Sequence, residues 1–389
     1  MTAGRLVILT NLYVDHRTGQ PFNGGEQRIY RELIRQARLR GWTAVVLQED
    51  RKEARSFQVE EGVVAHAVPR KHWWGRMPRP RFGRHMVERF LPPHEGPQIL
   101  LSSYPDYLSE LTHLRPWIYQ HGVGWDGNTA SDRRKTLAEH LKLWPHLEGL
   151  IAVDTNYPNV IAAHLGPKEV EPFYAKVKFI PNFQEMTPTP LPALGPEGVR
   201  FLFPRNFVVG RGIFLVAEAA SRLWAKGLRF HLTLCGQPIR EDAPEAARMR
   251  ELLGPWEAQG CLTFTQLPFD RMHEAFQACH VTLVPTLMSE GTSLSCLEAF
   301  GTGRPVLGTW VGGLQNLLLD RQNGRMLSPS VDALAEAMEE VIRHPERLAP
   351  WRDGALATAA RFSKQVWDQA IQAWLASRED RIHPSTGTP

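Results

Sequence analysis

The sequence predicts an α/β protein of two Rossmann-like domains, each a parallel sheet with helices on both faces. Three observations predict it. Short apolar runs alternate with helix-length amphipathic stretches, a proline-dense break falls near the middle, and the same strand–helix rhythm runs on either side of that break.

The strands come first. Apolar or β-branched runs occur at residues 5–10, 43–48, 98–102, 117–120 and 149–153, and again at 199–204, 230–235, 261–265, 281–285 and 305–308. They are continuous, the pattern of strands covered on both faces. The stretch 26–40 shows the helical counterpart. Ile29, Leu33 and Ala37 recur every four residues, Arg28, Arg31, Arg35 and Arg38 face elsewhere, and Gly41 supplies a stop. The break holds five prolines from Pro181 to Pro196. Proline lacks the N–H that a core strand or helix interior needs, so this stretch reads as a connection. The resulting order is a first domain over 1–184, a linker over 185–198 and a second domain over 199–360. An amphipathic helix follows over 361–378, with Val366, Trp367, Ala370, Ile371 and Trp374 on one stripe, and then a polar tail, 379–389, expected to be disordered.

Composition narrows the class. The chain has 389 residues, a net charge of +4 and 43% apolar residues, a globular balance and not a nucleic-acid-binding one. Its four cysteines, Cys235, Cys261, Cys279 and Cys296, share no C-x-x-C spacing and sit among apolar or small residues. They read as reduced and mostly buried, in an intracellular protein, with a catalytic cysteine the minor alternative. The apolar run at 6–10 has strand length, too short for a signal-peptide core. No run approaches the roughly 18 apolar residues of a membrane span. The expected location is the cytoplasm, in solution or peripherally on a membrane surface.

The chemistry concentrates from Ser289 to Gly303. Gly291 relieves the backbone after the run 281–285, Thr292 or Ser293 can cap a helix, Leu294 and Leu297 face a core, and Gly301, Gly303 and Pro305 end it. A helix start after a small-residue loop presents unpaired N–H groups and a partial positive charge, which suits a diphosphate. Glu298, one to two turns along, is placed to accept hydrogen bonds from ribose hydroxyls. Glu290, before the cap, is placed to meet a sugar hydroxyl. Taken alone, two glutamates eight apart are mostly chance, a surface loop residue and a solvated helix residue.

The neighbourhood changes that estimate. Pro285, Glu290-Gly291, Leu297-Glu298-Ala299, Gly303 and Pro305-Val306, followed by Val311-Gly312-Gly313 and Asn323-Gly324, resemble the E-x7-E segment of the retaining GT-B glycosyltransferases of the glycosyltransferase family 4 type. The resemblance covers most of the chain from Val199 to Ser377 and the first half more loosely. It implies two Rossmann-like domains with parallel sheets facing a central cleft, a C-terminal helix crossing back to the first domain, and closure of the domains on the donor. It also implies transfer of a sugar from a nucleoside-diphosphate-sugar to an acceptor hydroxyl, with retained configuration and no metal or other cofactor.

By the same resemblance Arg205 and Arg211 correspond to the two cations that hold the donor diphosphate, although Arg211 replaces a lysine and stands one residue late. Gly24 and Gly25 correspond to the glycine loop of the first domain, Gly236 to the glycine after the corresponding strand, and His121, in Gln120-His121-Gly122, to a histidine that contacts the donor sugar. Pro181-Asn182 resembles the family's P-N before the hinge, with Asn182 read as structural. Donor binding is thus expected of Gly24, Gly25, Arg205, Arg211, Gly236, Gly291, Thr292, Ser293 and Glu298, with Glu290 and His121 at the reaction centre.

One stretch stands outside this pattern. Residues 70–89 hold Arg70, Lys71, Arg76, Arg79, Arg81, Arg84 and Arg89 against Glu88, with Trp73, Trp74, Phe82, Pro78, Pro80 and Gly83 among them. Such a mixture can touch an anionic lipid surface or an anionic acceptor, and a charge run is first a solvated face. Other readings remain. A sugar-nucleotide epimerase or a phosphorylase uses the same fold, and a basic nucleic-acid- or membrane-binding module would centre on 70–89. A nicotinamide oxidoreductase requires G-x-G-x-x-G after the first strand, which residues 10–19 lack, and no D-x-D of the metal-dependent transferases occurs.

Overall fold

The computed structural model describes residues 3–50, 53–72, 75–121, 130–288 and 290–379. Trp73, Trp74, Gly122, Ser289 and the tail from 380 lie outside the described residues. The chain forms two compact units. One comprises Met1–Pro181 together with the segment from Gln365 onward, the other Asn182–Lys364.

Among the described residues, the first unit has ten strands: β1 Arg5–Thr10, β2 Thr43–Asp50, β3 Arg55–Glu60, β4 Val63–Pro69, β5 Lys71–His72, β6 Gly75–Arg76, β7 Gln98–Ser102, β8 Trp117–Gln120, β9 Gly149–Ala152 and β10 Val177–Phe179. Eight form one sheet in the order β10-β9-β8-β7-β1-β2-β4-β3, while β5 and β6 pair separately. All neighbours in the large sheet run parallel except β3 against β4. Every residue of β1 is buried, as a strand with helices on both faces requires. The chain adds β2, β4 and β3 on one side of β1 and β7 to β10 on the other. Direction therefore switches between β1 and β7, and the loops leaving these two strands flank a crevice.

The second unit repeats the device with β11 Val199–Phe203, β12 Phe230–Cys235, β13 Leu262–Thr265, β14 Val281–Val284, β15 Val306–Thr309 and β16 Gly324–Leu327. Its order is β13-β12-β11-β14-β15-β16, all parallel. Here the switch lies between β11 and β14. Aromatic and aliphatic side chains of these strands pack against the helices Ile213–Ala225 and Val331–Arg343 on one face, and the short helix Leu294–Gly301 packs on the other.

Three features depart from a plain reading of residue type. The last helix, Lys364–Glu379, packs within the first unit. Trp374 meets Trp117 edge-on at 5.2 Å, Gln36 Nε2 donates to Asp368 at 2.7 Å, and Trp42 Nε1 donates to Glu379 at 2.7 Å. The proline-rich segment is strapped to the second unit. Fully buried Arg304 donates to the carbonyls of Thr189 and Pro190 at 2.9 Å each, and Thr189 N donates to Thr302 O at 3.3 Å. Within 70–89, the residues Arg79–Phe90 form a helix, because Pro80 falls in its first turn, where the missing N–H has no intrahelical role.

Candidate functional site

The second unit's switch point brings three charged side chains together. Arg205 follows β11 and Glu290 follows β14. Arg205 Nη1 donates to Glu290 Oε1 at 3.2 Å, and Arg205 Nη2 and Arg211 Nη1 both donate to Glu290 Oε2. The Arg205 side chain is 9% exposed, that of Glu290 8% and that of Arg211 43%. One buried carboxylate thus holds two guanidinium groups and leaves a surplus positive charge and unused N–H donors. Burial, and the neighbouring Arg205, lower the Arg211 pKa, with Glu290 opposing. Glu290 is no surface loop residue.

The backbone explains why the three meet. A 3-10 turn, Val209–Arg211, ends at Gly212, whose φ of +82° and whose position against the Pro285 carbonyl leave no room for a Cβ. Thr286 Oγ1, Leu287 N and Met288 N all donate to Gly210 O, at 3.2, 2.9 and 3.3 Å. The loop after β11 is therefore clipped to the loop after β14. Gly236 serves the same end, since a Cβ there would overlap the Arg205 carbonyl. It also opens onto a largely apolar cavity of about 380 Å³, walled by Phe207, Ile239, Met249, Leu253 and Phe264.

The helix Leu294–Gly301 begins beside Glu290. Ser293 is its N-cap, but its side chain makes no capping hydrogen bond and its buried Oγ has no partner. Ser295 Oγ donates instead to Pro204 O at 3.4 Å, tying the first turn to the end of β11. Thr292 is held from the other side. Its Oγ1 accepts Asn182 N at 3.2 Å and its carbonyl accepts Asn182 Nδ2 at 3.1 Å. Thr292 therefore braces the loop, and Ser293, the N-cap residue, makes no side-chain capping bond. Gly313 N donates to Glu290 O at 2.7 Å, and a Cβ on Gly313 would overlap the Gly291 carbonyl, so the Gly312-Gly313 turn backs the Glu290-Gly291 pair. Glu298 is 5% exposed, not a solvated helix residue. Cys296 lies beneath, its thiol pushed far up by burial and by Glu290, and Cys279 is pushed up to about 11 by burial. Neither is a nucleophile near neutral pH.

The first unit's switch point is different in kind. Gly24 is the N-cap of the helix Gly25–Leu39 with an ordinary negative φ, so it supplies space and not a left-handed turn. Gly25 opens that helix, and Glu26 follows. Ser103 Oγ and Tyr104 Oη, just after β7, both donate to the Glu26 carboxylate, and burial raises its pKa. This cluster escaped the sequence reading, and only the polar Ser102-Ser103-Tyr104 at a strand end pointed to it. His121 ends β8. Its ring stacks on Tyr119 at 4.5 Å and meets Tyr30 edge-on at 5.2 Å. Burial lowers its pKa to about 3, and Nε2 has no hydrogen-bond partner. His121 is thus a neutral ring with one unused nitrogen. Among the described residues no group of three His, Cys, Asp or Glu could hold a metal ion, and no helix is long and apolar enough to cross a membrane.

Residues 199–344 match the family model described as glycosyl transferases group 1. A D-inositol 3-phosphate glycosyltransferase of Acidothermus cellulolyticus is 29% identical over 48% of this chain and 42% of its own length. A lipopolysaccharide 1,2-N-acetylglucosaminetransferase of Salmonella typhimurium is 24% identical over 46% of this chain and 48% of its own. The chain thus spans less than half the length of these curated relatives. Among solved structures, a sucrose-phosphate synthase from Thermosynechococcus elongatus superposes with a TM-score of 0.74 at 18% identity, over 98% of this chain and all of that one. An Anabaena protein, HepE, solved in complex with UDP, does so with a TM-score of 0.71 at 13% identity, over 96% of this chain and all of that one. The chain has the GT-B fold, and most of its second unit, residues 199–344, matches the glycosyl transferases group 1 family model.

Proposed function

We propose that the chain moves a sugar from a nucleoside-diphosphate-sugar to an acceptor hydroxyl, with retention of configuration and without a metal ion. The observation that carries this reading is the convergence of Arg205 and Arg211 on buried Glu290 beside a helix start. Two fixed cations and the helix N–H groups stabilise the charge that grows on a departing diphosphate. The similar Anabaena fold, solved with UDP and with UDP-glucose, supports a nucleotide-sugar donor. In the proposed reaction the bond from the sugar C1 to the diphosphate oxygen breaks, and its electron pair leaves with the oxygen. The acceptor oxygen bonds C1 on the same face, and its proton passes to the departing oxygen, so no protein nucleophile is needed. Buried Glu298 takes the ribose hydroxyls, and the cavity beside Gly236 takes the base.

A thermal-shift screen of nucleotides and nucleotide-sugars tests this. One of them at about a hundred times its Kd is expected to add about 2.7 kcal/mol to stability. Glu298→Ala is expected to lower that nucleotide's affinity about tenfold, the loss of a charge-assisted hydrogen bond. Stabilisation by none of them would sink the reading.

A further inference from the structure

The first unit holds a basic cavity of its own. It has a volume of about 800 Å³, and the described residues lining it include Arg70, Arg76, Arg79, Lys135, Lys142 and His146. These cations come from different elements. Arg70 leaves β4, Arg76 lies on β6, Arg79 begins the helix Arg79–Phe90, and Lys135 and Lys142 lie on the helix Ala130–Leu143. Lys135, Glu139 and Lys142 are spaced four and three apart, so they share one helical face. Against the five permanent cations the described lining offers two carboxylates, Asp106 and Glu139.

Internal pairing cancels only part of this charge, since Glu49, Asp106 and Glu139 stand against five cations. Asp106 takes Arg79 Nη1 at 2.9 Å. Glu49, on β2, takes Arg76 and the Tyr107 hydroxyl, the latter at 3.1 Å, and lies 3.4 Å from Arg70 Nε without hydrogen-bond geometry. The shielded Nε groups of Arg70 and Arg79 make no hydrogen bond. Arg70 is no solvated surface residue, since its side chain is 11% exposed. Burial, reinforced by Arg76 and Arg79, lowers its pKa even with Glu49 beside it. The Arg79 guanidinium is fixed over the rings of Tyr104 and Tyr107, at 5.6 and 5.4 Å. The excess of positive charge around one concavity favours the entry of an anion. The position is also apt. Glu49, Arg70 and Asp106 lie at or just beyond the carboxyl ends of β2, β4 and β7, the edge of an open parallel sheet where ligands bind.

We infer that this cavity binds the phosphate group of a phosphorylated molecule, which on the proposed activity is the acceptor. A concave wall of arginines and lysines suits a compact multivalent anion held by several donors at once. The phosphate has two possible bearers, a soluble phosphorylated compound or the headgroup of a lipid.

Calorimetric titration of the full chain with inorganic pyrophosphate tests the site. Arg205→Ala serves as background, to blank the second unit's arginines. Pyrophosphate is expected to bind this background, and adding Lys135→Glu and Lys142→Glu, both on an exposed helix face, is expected to weaken binding about tenfold. Arg76→Ala, on a side chain 62% exposed, repeats the test should the double variant misfold. No binding to the Arg205→Ala chain, or binding unchanged by the cavity variants, overturns the inference. Cavity binding without any nucleotide stabilisation of the wild type would leave the site standing and remove the transferase reading. Sedimentation with phosphatidylcholine vesicles, with and without phosphatidic acid, separates the bearers. Anion-dependent sedimentation lost in the cavity variants supports a lipid headgroup, and pyrophosphate binding without sedimentation supports a soluble phosphate.

Discussion

The two units place opposite chemistry at equivalent points. Each has a sheet, parallel but for the edge strand β3 of the first unit, whose strand order reverses next to its first strand, and each puts side chains from the two flanking loops in contact there. In the second unit the contact is ionic, Arg205 and Arg211 on Glu290, braced by Gly210, Gly236 and Gly313. In the first it is Glu26 with the hydroxyls of Ser103 and Tyr104, and burial disfavours its charged form. The same topology therefore supplies a crevice without dictating its polarity. The residues after the strands decide whether it presents fixed charge or hydroxyl-bound carboxyl.

Removing one carboxylate from each point breaks the comparison most sharply. Glu290→Ala leaves Arg205 buried without its partner, and truncating one member of a buried ion pair costs about 3 kcal/mol. Donor turnover is expected to fall by about a hundredfold or more, because the two cations lose their fixed geometry. Glu26→Gln keeps a group that can accept from Ser103 and Tyr104, and its stability is expected to stay within about 1 kcal/mol. Melting curves and initial rates for the two variants read this directly. Equal losses in both would show that the two points are not built differently.

The same contrast separates what residue patterns disclose from what they hide. Strands β1, β7, β8 and β12 fall where apolar runs place them, because a strand buried on both faces must be apolar throughout. Strands β3 and β4 escape because they are antiparallel partners at the sheet edge and β3 is largely exposed. Pro80 reads as a breaker in isolation and sits at a helix start in the fold. Arg205, Arg211 and Glu290 are each visible as candidates, but the contact spans 85 and 79 residues and no local pattern encodes it. The five permanent cations of the first unit's cavity run from Arg70 to Lys142 in sequence, so a charge run shows at 70–89 and the cavity does not.

A smaller effect sharpens the contrast through pH. Burial lowers the pKa of His121 to about 3 and that of His140 to about 4, both in the first unit. The unfolded chain takes up a proton at each ring as pH falls below about 6.5, and the folded chain does not. The stability these neutral rings contribute is present above pH 6.5 and is lost as pH falls towards those lower values. From pH 7 to pH 5 the His121 share of this loss is expected to be about 1–2 kcal/mol. His121→Phe removes that share, so its denaturation midpoint should depend less steeply on pH than the wild type's. Unchanged pH dependence in His121→Phe would show that the ring is not held neutral. Transfer rates should show no inflection near pH 6–7 from His121, because its ring is uncharged throughout that range.

The smallest expected effect bears on the bracing of the second unit. Thr292 Oγ1 accepts the Asn182 backbone N–H, and both residues are buried. Thr292→Val preserves shape and removes the acceptor, leaving that N–H unsatisfied at a cost of about 1–2 kcal/mol. Thr292→Ser keeps the hydroxyl and should recover most of the loss. If Thr292 acts only as a brace, nucleotide affinity in Thr292→Val stays within about threefold of wild type, since Arg205, Arg211 and Glu290 are untouched. If its hydroxyl binds the diphosphate directly, affinity falls about tenfold or more while stability changes little. A thermal melt and a nucleotide titration on the same two variants distinguish these outcomes, because a brace moves the first measurement and a ligand contact moves the second.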